Sequence, residues 1–197
     1  MSGTLSEEIA VAAARMVVED GMEYGPAKRR AARLLGLRAR DVSLPDNETL
    51  EEEVRAYLAL FCADTQPAEL DALRALAVSW MERLPAFRPH LTGAVWRGTA
   101  TRLSDIRLDL FCDDSKAAEL SLIDQRVDYK VSSTIGPRGK PVDVLSVSSL
   151  SRELGERVTL HLTILDYDDL RGALRIDGRG RPQRGELSAV LALEARA

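Results

Sequence analysis

Hydrophobic residues recur every three to four positions through the first half of the chain and every two positions through most of the second. The first spacing is that of a helix with one buried stripe, the second that of a strand with one buried face. Ile9, Ala12, Ala13, Met16 and Val17 mark a first helix, which Ser6 is placed to cap and Gly21 to end. Pro26 suits the first turn of a second, basic helix over 27–35, stopped by Gly36. A third helix is expected over 48–61, turning Leu50, Val54, Tyr57, Leu58 and Phe61 inward. After Thr65-Gln66-Pro67 a fourth carries Leu70, Leu73, Leu76, Ala77, Trp80 and Leu84 inward, ended by Pro85 and Pro89.

From His90 onward the alternation predicts strands over 105–111, 127–131, 142–147 and 158–165. A short helix is expected over 116–123, a turn over 136–140 and a closing helix over 186–195. In the first of these strands Asp105, Arg107 and Asp109 share one face, and Ile106, Leu108 and Leu110 the other. The pattern predicts an α+β protein: a helical N-terminal region over 1–65, packed on an α+β domain with a mixed sheet and flanking helices over 66–197.

Charge narrows the partners. With 27 Lys and Arg against 31 Asp and Glu, the net charge of -4 excludes a uniformly basic nucleic-acid binder and leaves only local patches. One such patch is Lys28, Arg29, Arg30 and Arg33 on the second helix, which reads either as a phosphate-contacting face or as a solvated one. No recognition helix is expected over the loop-like 41–47, so the solvated reading is preferred and nucleic acid is not favoured as a partner. The two cysteines, Cys62 and Cys112, sit in apolar runs without Cys-x-x-Cys spacing, as reduced thiols of a cytoplasmic protein would. The first eight residues are acidic where a signal peptide is basic, and no apolar run approaches the ~20 residues of a membrane span. Neither export nor membrane insertion is expected.

The candidate chemistry lies in Gly93-Ala94-Val95-Trp96-Arg97-Gly98-Thr99 and in the strand after it. Metal-dependent nucleotidyl transfer requires a turn that holds a triphosphate and carboxylates that bind two magnesium ions roughly 3.5–4 Å apart. Gly93-Ala94, Arg97-Gly98-Thr99, Ser104-Asp105-Ile106 and the later Pro141-Val142-Asp143-Val144 resemble, in order and spacing, the polymerase-beta-type nucleotidyltransferase superfamily, especially its small bacterial members. In that family a Gly-Ser pair ends a strand, an Asp-x-Asp follows some ten residues on, and another strand supplies a third acid. The resemblance implies a mixed sheet, magnesium held by Asp105 and Asp143 as catalytic ligands, and a nucleoside triphosphate near Gly93, Ala94, Arg97, Gly98 and Thr99.

Two departures accompany it. Ala94 replaces the serine, and Arg107 stands where the second acid belongs, about 6.6 Å along the strand from Asp105 and able to pair with it. Asp109, about 13 Å from Asp105, is a poor substitute. The chain also resembles small proteobacterial proteins often labelled UDP-N-acetylmuramate–alanine ligase, but it has no Gly-x-x-Gly-Lys-Thr-type loop of the kind such a ligase uses for ATP.

Weaker candidates are His161 on a strand face with Thr159 and Thr163, the acidic Asp166-Tyr167-Asp168-Asp169 before a helical turn, and the basic, glycine-rich segment 175–184. Each has a plain structural reading: a satisfied histidine, helix-terminal acids, and a solvated loop. Two functions stay open. One is magnesium-dependent transfer of a nucleotide to an unknown acceptor. The other is an inactive nucleotidyltransferase-like binding or regulatory module that contacts a protein or nucleic acid.

Overall fold

The computed structural model describes residues 2–38, 41–172, 176–178 and 180–195. Among them are seven α-helices and one six-stranded mixed sheet, an α+β architecture. The chain divides into two compact units, Met1–Ala68 with Thr99–Leu103, and Glu69–Gly98 with Ser104–Ala197.

The first unit holds α1 (Ser2–Asp20), α2 (Tyr24–Leu34) and α3 (Asn47–Phe61). Ile9, Ala13, Ala14, Ala27, Ala31, Leu50, Val54 and Leu58 form its core, where the small alanines of α1 and α2 let the helices approach closely. α1 begins four residues before Ser6, because Leu5 and Ile9 keep the helical spacing straight through it and nothing there obliges a start. α3 is capped by Asp46, whose carboxylate accepts from Thr49 N–H at 2.7 Å. The basic helix is partly used up internally. Lys28 Nζ donates to Pro45 O and Asn47 Oδ1, each at 2.9 Å, and Arg30 lies 3.9 Å from Asp20.

The second unit is built on β1 (His90–Thr92), β2 (Ile106–Phe111), β3 (Tyr129–Ile135), β4 (Pro141–Ser151), β5 (Glu156–Leu165) and β6 (Arg184–Glu186). Their order across the sheet is β3-β4-β5-β2-β1-β6, and the β2–β5 pair is parallel while the other four pairs are antiparallel. Alternation gives the sheet one apolar face, with Leu91, Ile106, Leu108, Leu145, Val147, Leu160 and Leu162 all buried, while Phe111 and Leu165 form a smaller buried cluster on the other face. α4 (Gln66–Arg83) reaches this face through Trp80, whose indole N–H donates to Ser149 Oγ at 3.1 Å. α6 (Ser115–Asp124) contributes the buried Ala118 and Leu122. α5 (Gly93–Arg97) joins β1 to β2, and α7 (Leu187–Glu194) follows β6. No helix among the described residues is long and apolar enough to cross a membrane.

Candidate functional site

The segment Gly93–Asp105 folds as the sequence leads one to expect at its two ends. β1 stops at Thr92, and Gly93 takes φ 72° to start the five-residue α5, which Gly98 closes at φ 82°. Both angles lie in the left-handed region that a side chain disfavours, so each position needs glycine. Asp105 then stands directly before β2, on the polar face of the sheet by alternation with Arg107.

What surrounds Asp105 is a histidine. β2 runs beside β5, in a register that sets Arg107 against His161, and β4 on the other side of β5 sets Ser146 against the same His161. The carboxylate of Asp105 accepts from His161 Nε2–H at 3.0 Å, and Nδ1 shares a hydrogen bond of 2.9 Å with the Ser146 hydroxyl. His161 is therefore a satisfied side chain, bonded at both ring nitrogens.

Asp143 does not join them. It lies in β4 opposite Ser133 of β3 and alternates with Leu145 and Val147, so it belongs to the apolar side of the sheet while Asp105 belongs to the polar side. Asp109, Thr163 and Val144 lie abreast, with Asp105 four residues to one side of that line and Asp143 one residue to the other. At ~3.3 Å per residue and ~4.8 Å per strand, their Cα atoms are about 19 Å apart. The two carboxylates expected to share magnesium cannot do so.

The phosphate side of the expectation divides likewise. Gly93 and Ala94 do form a turn into a helix, but the turn is not open: a Cβ on Gly93 would come within 3.3 Å of Arg107 Cδ, so the arginine stem lies against it. Arg97 closes α5 in a half-buried position, and Gly98 faces Arg74, whose Nη2 would be 3.5 Å from an added Cβ. Thr99 is only 3% exposed, and its hydroxyl is buried without a hydrogen-bond partner among the described residues. It belongs to the first unit, whereas Gly93–Gly98 belong to the second. Thr99 is thus a buried residue that directly follows the turn.

Asp109, the remaining acid of the strand, is committed elsewhere. It is 8% exposed and forms an ion pair with Arg184 of β6 at 2.6 Å. Burial pushes its carboxyl up from the ordinary range, opposed chiefly by the positive charge of Arg184 and less by the neighbouring His90 and Arg107. No periodicity marks this partner, because β6 is three residues long and lies across β1, far along the chain.

The residues present do not fit a magnesium pair. Two-metal sites need carboxylates that bridge both ions, and here Asp105 is bound to His161, Arg107 adds a positive charge beside it, and Asp109 is held by Arg184. Among the described residues no three His, Cys, Asp or Glu side chains converge as a metal site would require. The other candidates are also internally engaged. Asp169 pairs with Arg138 at 2.8 Å, and Asp166 Oδ1 accepts from Asp168 N–H at the start of a 3₁₀ turn over Tyr167–Gly172. Asp177 Oδ2 accepts from Arg181 Nε at 2.8 Å, while Arg175 and Arg179 of the same basic segment lie outside the described residues. Cys62 and Cys112 are free thiols.

No protein-family model matches the chain, and no curated protein or solved structure is detectably similar to it.

Proposed function

We propose that the chain is a nucleotidyltransferase-like module that binds a protein or nucleic-acid partner and does not transfer nucleotides. The observation that supports this reading is the juxtaposition of Arg107 and His161 beside Asp105, which is already hydrogen-bonded to that histidine. By the resemblance Arg107 stands where a second metal-binding acid is expected, and the one acid present, Asp105, is already held by His161. The Arg107 guanidinium repels a divalent cation there, and both ring nitrogens of His161 are already hydrogen-bonded, to Asp105 and to Ser146.

Titration calorimetry with the four nucleoside triphosphates, with and without magnesium, tests the reading. No heat that depends on the metal is expected. Micromolar, magnesium-requiring binding would overturn it. The variant Arg107→Asp/His161→Asp should gain magnesium binding if the backbone frame is that of a transferase, since it places two acids around Asp105.

One observation favours the transferase reading. The order β1–α5–β2, with Gly93 opening the helix and Asp105 heading the next strand, matches the layout expected of a phosphate turn followed by a metal-binding acid. Under that reading Asp105→Ala abolishes nucleotide consumption with an acceptor yet to be found. Wild-type protein that consumes no triphosphate against a broad acceptor panel counts against it.

A further inference from the structure

The outer surface of the first unit is unusually apolar at one place. A groove of about 1070 Å³ is lined by Val11, Ala12 and Met16 of α1, Leu34 and Leu35 at the end of α2, and Tyr57 and Phe61 of α3. Val11 is 54% exposed, Leu34 71% and Phe61 64%, so large apolar side chains meet water together on one surface, which is the mark of an interaction site.

The charges along α1 say what fits it. Toward the helix N-terminus stand Glu7 and Glu8, which make no ion pair among the described residues, at the centre Val11 and Ala12, and beyond them Arg15. Glu8 and Arg15 are equally distant from the point midway between Val11 and Ala12, each about 5 Å along the axis at 1.5 Å per residue. Reversing the helix exchanges acid for base and leaves the apolar centre in place. A surface with that property is complementary to itself under a two-fold axis.

We infer that this groove is the interface of a homodimer, in which α1 of two chains pack antiparallel across Val11 and Ala12 and Glu8 of each faces Arg15 of the other. At the crossing the small Ala12 permits close approach of the helices, and Val11 supplies the apolar contact. Arg15 Nε–H already donates to one carboxylate, Glu19 at 2.8 Å, and the guanidinium has further N–H donors for a second. Leu34 and Phe61, flanking α1, become covered by the partner chain.

Sedimentation equilibrium of the full chain over a concentration series tests this. Wild type should reach twice the mass of one chain. Glu8→Arg alone and Arg15→Glu alone each set like charges face to face twice across the axis, and each should sediment at the mass of one chain. An equimolar mixture of the two single variants should return to the double mass, because the mixed pair restores opposite charges at both contacts, and so should the double variant Glu8→Arg/Arg15→Glu. Restoration also shows that the single variants are folded. A wild type that stays at one-chain mass throughout, single variants that remain dimeric, or dissociated variants that fail to recombine would each overturn the proposal.

Discussion

Asp109 and Arg184 carry more of the second unit than their number suggests. Both lie mostly out of water, and each is the other's compensation for that burial. Removing one leaves an uncompensated charge, so Arg184→Met should lower the unfolding free energy by about 3 kcal/mol in denaturant melts. The double variant Asp109→Leu/Arg184→Met should recover most of the loss, since an apolar pair leaves no charge to solvate. The pH dependence has a definite sign. Burial raises the Asp109 carboxyl, so the folded state prefers it protonated, and stability from this group is full below the ordinary carboxylate range and lost as pH rises through the raised value. Without Arg184 that loss steepens: the deficit of Arg184→Met should be largest at neutral pH and shrink on acidification. A deficit independent of pH would mean that the arginine acts through packing alone. At this scale the sequence was partly legible. Asp105 at the head of a strand and Arg107 two residues on were readable from alternation, whereas the partners Arg184 and His161 depend on which strands become neighbours, and side-chain pattern says nothing about that. His161 did leave one signal, its place on the polar face with Thr159 and Thr163.

The unit formed by β1, α5 and β2 turns on Gly93. Its φ of 72° already disfavours a side chain, and the Arg107 stem occupies the space a Cβ would enter. Gly93→Ala should cost about 1 kcal/mol from the backbone alone, and more while Arg107 stays in place. Repeating the substitution in an Arg107→Ala background separates the two causes, for the contact is then gone and the backbone cost remains. Equal losses in both backgrounds would show that the arginine does not press on the turn. The elements themselves were readable where one period held: α2, α3 and α6 begin within a few residues of expectation, and the turn Gly136–Lys140 does join two antiparallel strands. β6 was not readable, because three residues are too few for any period to show. Asp143 was misjudged at this level although its parity was visible. Leu145 and Val147, two and four residues on, are apolar, and a residue in step with them belongs to the buried face.

Across the whole molecule the two units differ in how far apart along the chain their contacts lie. The first is made chiefly of neighbouring helices, α1 against α2 and α3. The sheet of the second closes by pairing β2 with β5 over the intervening β3–β4 hairpin, and β1 with β6 near the end of the chain. Such pairings must overcome loop-closure entropy before they yield any stabilisation, so they form late. The two tryptophans report on this difference. Trp80 and Trp96 both lie in the second unit, and Trp96 donates its indole N–H to Pro182 O at 2.8 Å, its ring against Gly185 of β6, where an added Cβ would overlap it. Far-ultraviolet circular dichroism is dominated by helix, much of it in α1, α2 and α3. In refolding from denaturant, the dichroism should therefore recover first and tryptophan fluorescence later, and a Trp96→Phe variant should retain the slower phase only through Trp80, at reduced amplitude. Slowing should be sharpest for substitutions in β1 or β6, such as Gly185→Ala, whose side chain meets the Trp96 ring. Recovery of both signals in one phase with the same rate constant would mean that the helical unit does not form until the sheet has closed, and that the two compact units fold as a single cooperative body.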